Sequence, residues 1–98
     1  MSKEFDVVPS GNVTLYRGGQ LHLTCKIKAV PLAQIWWLRN KKNFSESEDK
    51  RIIVNRLSGN LLIKNLKLRD SGRYRCVALH QDRKKFSPDV SVSVHKLG

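Results

Sequence analysis

Hydrophobic positions in this chain fall in short alternating bursts. Leu21, Leu23 and Cys25 occupy every second place, as do Ile35 and Trp37, Leu61 and Ile63, Tyr74, Cys76 and Ala78, and finally Val90, Val92 and Val94. Successive side chains of a β-strand point to opposite faces, so each set marks one inward-facing row. Turn-formers lie between the bursts: Pro9-Ser10-Gly11, Arg17-Gly18-Gly19 and the segment 29–33 around Pro31. The pattern predicts strands at 5–9, 12–16, around 21–25, and at 34–39, 51–55, 59–63, 73–80 and 86–95, with a short extra segment inside 40–49. Leu66 closes the corner that precedes 73–80. Pro9 suits an edge strand, where a missing N–H costs nothing. No helical period and no internal repeat interrupts this rhythm, and many short strands separated by turns read as an all-β sandwich.

Ninety-eight residues make about one small domain. Such a chain buries only about 60–65% of its unfolded surface, so a covalent staple would matter. Two cysteines by themselves permit either a disulfide or two buried free thiols. No apolar run approaches the roughly 18–20 residues that span a bilayer. Met1-Ser2-Lys3-Glu4 reads as an added start, 1–4, before an excised domain at 5–96, so any natural signal or anchor is expected to lie outside this sequence. Nineteen Lys and Arg against eight Asp and Glu give a net charge of +11, which favours anionic partners and weakens with salt.

A motif adds the fold family. Trp37 lies between Cys25 and Cys76, and Asp70-Ser71-Gly72-Arg73-Tyr74-Arg75 leads straight into the second cysteine. This constellation resembles the immunoglobulin superfamily, and the short interval between 40 and 49 is most similar to its intermediate-set (I-set) type. The resemblance implies a Greek-key β-sandwich of two antiparallel sheets with an inter-sheet Cys25–Cys76 disulfide. Bridging would contribute roughly 4 kcal/mol in the chain-entropy model. It also implies Trp37 packed on the bridge, the Tyr74 hydroxyl tied back to the preceding corner, Gly72 at that corner, and Asp70 paired with Arg51 or Lys50. These roles are structural.

Trp36 is the unusual residue. Alternation places it with Leu38 on the outer face of the sheet holding 34–39, 73–80 and 86–95, where Arg73, Arg75, Val77 and Leu79 also point outward. The six form a candidate protein-binding patch on the C-F-G sheet face, C, F and G being the family's letters for 34–39, 73–80 and 86–95, with an apolar centre and an arginine rim. A plainer reading lays Arg75 over Trp36 as an intramolecular cation–π pair. The basic residues fall at two ends of the sandwich under the family topology: Arg17, Lys41, Lys42, Lys67 and Arg69 at one, Arg56, Arg83, Lys84 and Lys85 in loops at the other. Arg83, Lys84, Lys85, Arg56, Lys41 and Lys42 are the candidate polyanion-binding residues, weighed against a merely solvated surface. Nucleic acid is disfavoured, because one tryptophan is no stacking platform.

Asn12-Val13-Thr14 and Asn43-Phe44-Ser45 are N-glycosylation sequons, consistent with a secreted or cell-surface origin. A glycan on Asn43 would crowd Lys41 and Lys42. His22, His80 and His95 have no metal-ligand spacing, and no nucleophile elbow or phosphate loop is present, so neither a metal, a cofactor nor an enzyme is expected. The expected function is non-catalytic recognition of a receptor, adhesion or matrix protein, without membrane insertion or a small-molecule ligand. Two other readings stand beside it: a matrix module binding heparin or heparan sulfate, and an intracellular spacer of a muscle or cytoskeletal protein.

Overall fold

A computed structural model describes residues 5–27, 34–44, 49–55 and 58–96. Ten strands run in order: β1 (Phe5–Val8), β2 (Gly11–Tyr16), β3 (Leu21–Ile27), β4 (Gln34–Arg39), β5 (Lys42–Phe44), β6 (Ile52–Val54), β7 (Asn60–Ile63), β8 (Gly72–His80), β9 (Arg83–Phe86) and β10 (Val90–His95). A 3-10 turn, Leu68–Asp70, precedes β8. One sheet has the order β1-β3-β7-β6, and the other has β2-β10-β8-β4-β5 with β9 also paired to β8. The sandwich is antiparallel apart from one pair, since β2 runs parallel to β10. Pro9 and Ser10 take the chain from β1 in the first sheet to β2 in the second, and that exchange brings β2 alongside β10.

The inward rows meet as the alternation requires. Leu21, Leu23, Leu61 and Ile63 from one sheet face Ile35, Trp37, Tyr74, Val90 and Val92 from the other in one buried cluster. Cys25 of β3 and Cys76 of β8 are bridged, with Cα atoms 6.2 Å apart, so the disulfide joins the two sheets. Trp37 is fully buried in this cluster and donates its indole N–H to the Gly59 carbonyl at 3.2 Å.

The segment predicted as one strand at 86–95 is two. β9 begins earlier, at Arg83, and β10 resumes at Val90. Ser87 explains the interruption: its N–H donates to the Cys76 carbonyl at 3.0 Å, and its hydroxyl accepts the Cys76 N–H at 2.9 Å. A side chain thus takes a place in the ladder, while Pro88, which has no N–H, leads the chain out to restart it. β8 and β9 are joined by Gln81 and Asp82, both at positive φ (47° and 65°), the geometry that suits two-residue hairpins. Arg83, Lys84 and Lys85 therefore belong to a strand and not to the expected loop. Among the described residues β9 is an edge strand, and the charges on it hide any hydrophobic period. Arg56, and the sequence 28–33, lie outside the described residues.

Candidate protein-binding face

Register decides which side chains share a face. Trp36 lies opposite Val77, Leu38 opposite Arg75, and Gln34 opposite Leu79. On the other side of β8, Phe86 lies opposite Val77 and Lys84 opposite Leu79. Directly opposed residues project to the same side, so Trp36, Leu38, Val77, Leu79 and Phe86 stand together on the surface turned away from the core. Trp36, Leu38 and Leu79 are half-buried, and Phe86 is 51% exposed. Val77 differs from the expectation. It is only 1% exposed, because a small side chain flanked by Trp36 on one strand and Phe86 on the other becomes the floor of the patch instead of a contact residue.

The cations on this face also sit differently. Arg75 places its guanidinium carbon 5.7 Å from the Phe86 ring centre, and Lys84 brings its ammonium 6.0 Å from the Trp36 ring. Arg75 therefore does not cover Trp36; Phe86, diagonal to it on β9, supplies the ring. Its Nε donates to Asp89 Oδ1 at 2.6 Å. That hydrogen bond, helped by the nearby charges of Arg73 and Lys41, holds the Asp89 carboxyl below the ordinary carboxylate range against some desolvation. Arg73 is exposed at the start of the strand, and its N–H donates to the Asn40 side chain at 3.0 Å.

Behind the face lies a corner that holds β8 in place. The Tyr74 hydroxyl donates to the Asp70 carbonyl at 2.6 Å. The Asp70 carboxylate, 1% exposed, accepts from Arg51 Nη1 at 2.9 Å and from the Lys67 N–H at 2.7 Å, with Arg39 3.7 Å away. Burial pushes this carboxyl up, but the Arg51 hydrogen bonds, the Lys67 N–H and the charges of Arg51 and Arg39 outweigh it and leave the group below its usual value. Arg51 extends the network through Asp49 at 2.8 Å, and Arg69 lies 3.8 Å from Asp49. Leu66 is fully buried beneath the corner, and a side chain at Gly72 would meet the Asn40 amide at 3.0 Å.

Of the two end clusters expected, the turn holding Arg17 lies beside the one leading to Lys67 and Arg69, since the Gly18 N–H donates to the Leu66 carbonyl at 2.8 Å, while Arg56 of the other lies outside the described residues. Arg83 and Lys85 lie opposite His80 and Ala78, on the other side of β9 from Lys84, because adjacent strand residues alternate. Lys41 sits in the hairpin turn between β4 and β5, beside Arg73, Arg75 and Asp89, while Lys42 lies opposite Arg39. Asn12 is exposed on β2; Asn43 lies on β5 in register with Leu38, and Ser45 of its sequon is outside the described residues. Among the described residues no group of His, Cys, Asp or Glu is placed to hold a metal ion, and no helix is long and apolar enough to cross a membrane.

The family model of an immunoglobulin domain matches residues 6–80. The chain belongs to that family. Over its whole length this immunoglobulin domain is 31% identical to part of the netrin receptor UNC5D of Rattus norvegicus, covering 10% of that protein. It is 32% identical to part of human protogenin over 92% of the domain and 8% of the relative. Among solved structures it is similar to the tandem Ig repeats of Dlar, with TM-score 0.80, 24% identity, and coverage of 95% of this chain and 49% of that one. The domain thus spans about a tenth of the length of the netrin receptor, of protogenin and of a cell adhesion molecule-related protein of Xenopus laevis that it also matches.

Phe86 and Asp89 were not among the candidate binding residues, and Lys84 was one for a polyanion and not for the protein-binding face. The turn at Gln81-Asp82 was the signal that could have put Phe86 and Lys84 on this face, since counting symmetrically outward from it pairs them with Val77 and Leu79; the count slips at Ser87 and would not have found Asp89.

Proposed function

We propose that this immunoglobulin domain is a non-catalytic recognition module of a secreted or cell-surface protein, of I-set type, and that it binds a protein partner through the face formed by β4, β8 and β9. The observation that carries this reading is the pairing of half-buried Trp36 with exposed Phe86 over a buried Val77 floor, edged by Arg75 and Lys84. A large aromatic surface rimmed by cations has the residue make-up of an interface hot spot. The relatives, a netrin receptor and a cell adhesion-related protein, agree with that role. The Cys25–Cys76 bridge fits an oxidising compartment better than the cytosolic spacer reading.

The test is binding of the domain to an array of cell-surface ectodomains, itself included, with wild type, Trp36→Ala and Phe86→Ser measured side by side. Loss of more than about tenfold in affinity in both variants, with thermal unfolding unchanged within a few degrees, is the expected result. Binding that survives both substitutions, or that is lost instead on Ile53→Ser of the opposite sheet, would sink the reading.

A further inference from the structure

At one end of the aromatic face lies a cleft of about 230 Å³ lined by Asn40, Lys41, Arg73, Arg75 and Asp89. Three cations surround a single carboxylate, and that carboxylate is already bound to Arg75 at 2.6 Å. Lys41 and Arg73 have no ion pair within 4.0 Å among the described residues. The cleft is held in shape from two sides. Asn40 exchanges bonds with Arg73, its N–H donating to the Arg73 carbonyl at 2.8 Å while its side-chain oxygen accepts the Arg73 N–H at 3.0 Å. Asp89 on one side and the Phe86 ring on the other fix the Arg75 guanidinium. Among the described residues the result is a preorganised surplus of two positive charges next to apolar surface.

We propose that this cleft is the seat of a carboxylate side chain carried by an extended acidic segment of a protein partner. The proposal rests on the reading of the Trp36 face as the contact surface and names the chemistry recognised at its edge. The spacing supports a peptide. Arg75 and Val77 are two residues apart on β8, so the cleft and the Trp36–Phe86 patch are separated by about 7 Å, the repeat of same-side residues in a strand. A peptide laid along β8 would put an acidic residue in the cleft and an apolar residue two places on over the rings. A long sulfated polysaccharide fits poorly, because Leu38, Trp36 and Phe86 separate the cleft from Lys84, and Arg83 and Lys85 face the other way.

The experiment is a titration of the folded domain with acetyl-Ser-Glu-Ser-Leu-Ser-amide, followed by two-dimensional proton–nitrogen NMR including the arginine Nε–H signals. The peptide with Gln in place of Glu and a heparin-derived disaccharide serve as the comparison probes. The Glu peptide is expected to shift Asn40, Arg73 and Arg75 saturably, about fivefold more tightly than the Gln peptide, with the same loss in Arg73→Gln or Lys41→Gln. Both lysine and arginine are exposed, so these variants should fold as wild type does. Equal response to the Glu and Gln peptides, or cleft shifts from the disaccharide alone, overturns the proposal. Shifts confined to the Trp36 indole overturn the cleft while leaving the face reading standing, and ectodomain binding lost in Trp36→Ala but retained in Arg73→Gln separates the two in the same way.

Discussion

Gly59 is held between two neighbours, Cys25 and Trp37. Its φ is +81°, a Cβ there would stand 2.9 Å from Cys25 Cβ and 3.0 Å from the Cys25 carbonyl, and its own carbonyl accepts from both the Trp37 indole and the Cys25 N–H at 3.2 Å. Left-handed backbone and a backbone contact cannot both be relieved, so Gly59→Ala is expected to cost about 2–4 kcal/mol. Differential scanning calorimetry would show it as a fall of roughly 10–25 °C in Tm for a domain this size. Tyr74→Phe removes the 2.6 Å hydrogen bond and leaves the Asp70 carbonyl short of a partner, at an expected cost of about 1–2 kcal/mol in urea unfolding. The two sites differ in legibility. Tyr74 announces itself by its place two residues before Cys76, whereas Gly59 looks like any turn glycine until the close approach to the disulfide is seen.

Between elements, the Asp70 carboxylate ties the turn before β8 to β6 through Arg51 and to β4 through Arg39. Removing one partner of a buried pair strands the other, so Arg51→Met is expected to cost about 3 kcal/mol near neutral pH. The carboxyl of Asp70 is held below its ordinary value in the folded domain, so the network's stabilisation is complete above the unfolded value of about 3.9 and is lost as pH falls through the lower folded value. Urea unfolding from pH 7 down to pH 2 should therefore show wild type and Arg51→Met converging below about pH 4; parallel curves would contradict this. Which elements were legible follows from how they are buried. β3, β4, β7 and β10 each bury one side, as β8 does apart from Val77, and alternation betrays them. β9 buries neither side, its four residues are all exposed, and no hydrophobic period could mark it.

For the whole molecule, the bridge and the charge are the two global quantities. The Cys25–Cys76 bridge spans 51 residues, so Cys25→Ala/Cys76→Ala or reduction should lower unfolding free energy by about 4 kcal/mol. The +11 charge is spread in part by alternation among the described residues: Lys84 faces one way, Arg83 and Lys85 the other, and Lys41 lines a separate cleft. Elution from heparin should accordingly fall by a similar salt increment when Arg83, Lys84 and Lys85 are changed to Glu and when Lys26, Lys64 and Lys96 are; a much larger effect of the first triple would reveal a local polyanion site. Sequence alone was enough for the sandwich, its inward rows and the family, because burial on one side of a strand writes a period of two and the Cys–Trp–Cys spacing is a local record of the core. It was also enough to bring Trp36 outside. Only the tertiary structure decided that Val77 is floor, that Phe86 completes the patch, that Arg75 covers Phe86 instead of Trp36, and that Lys41, Arg73, Arg75 and Asp89 converge. Those facts depend on strand register across two hairpins and on a ladder restarted at Ser87, which are long-range geometry that no local period encodes.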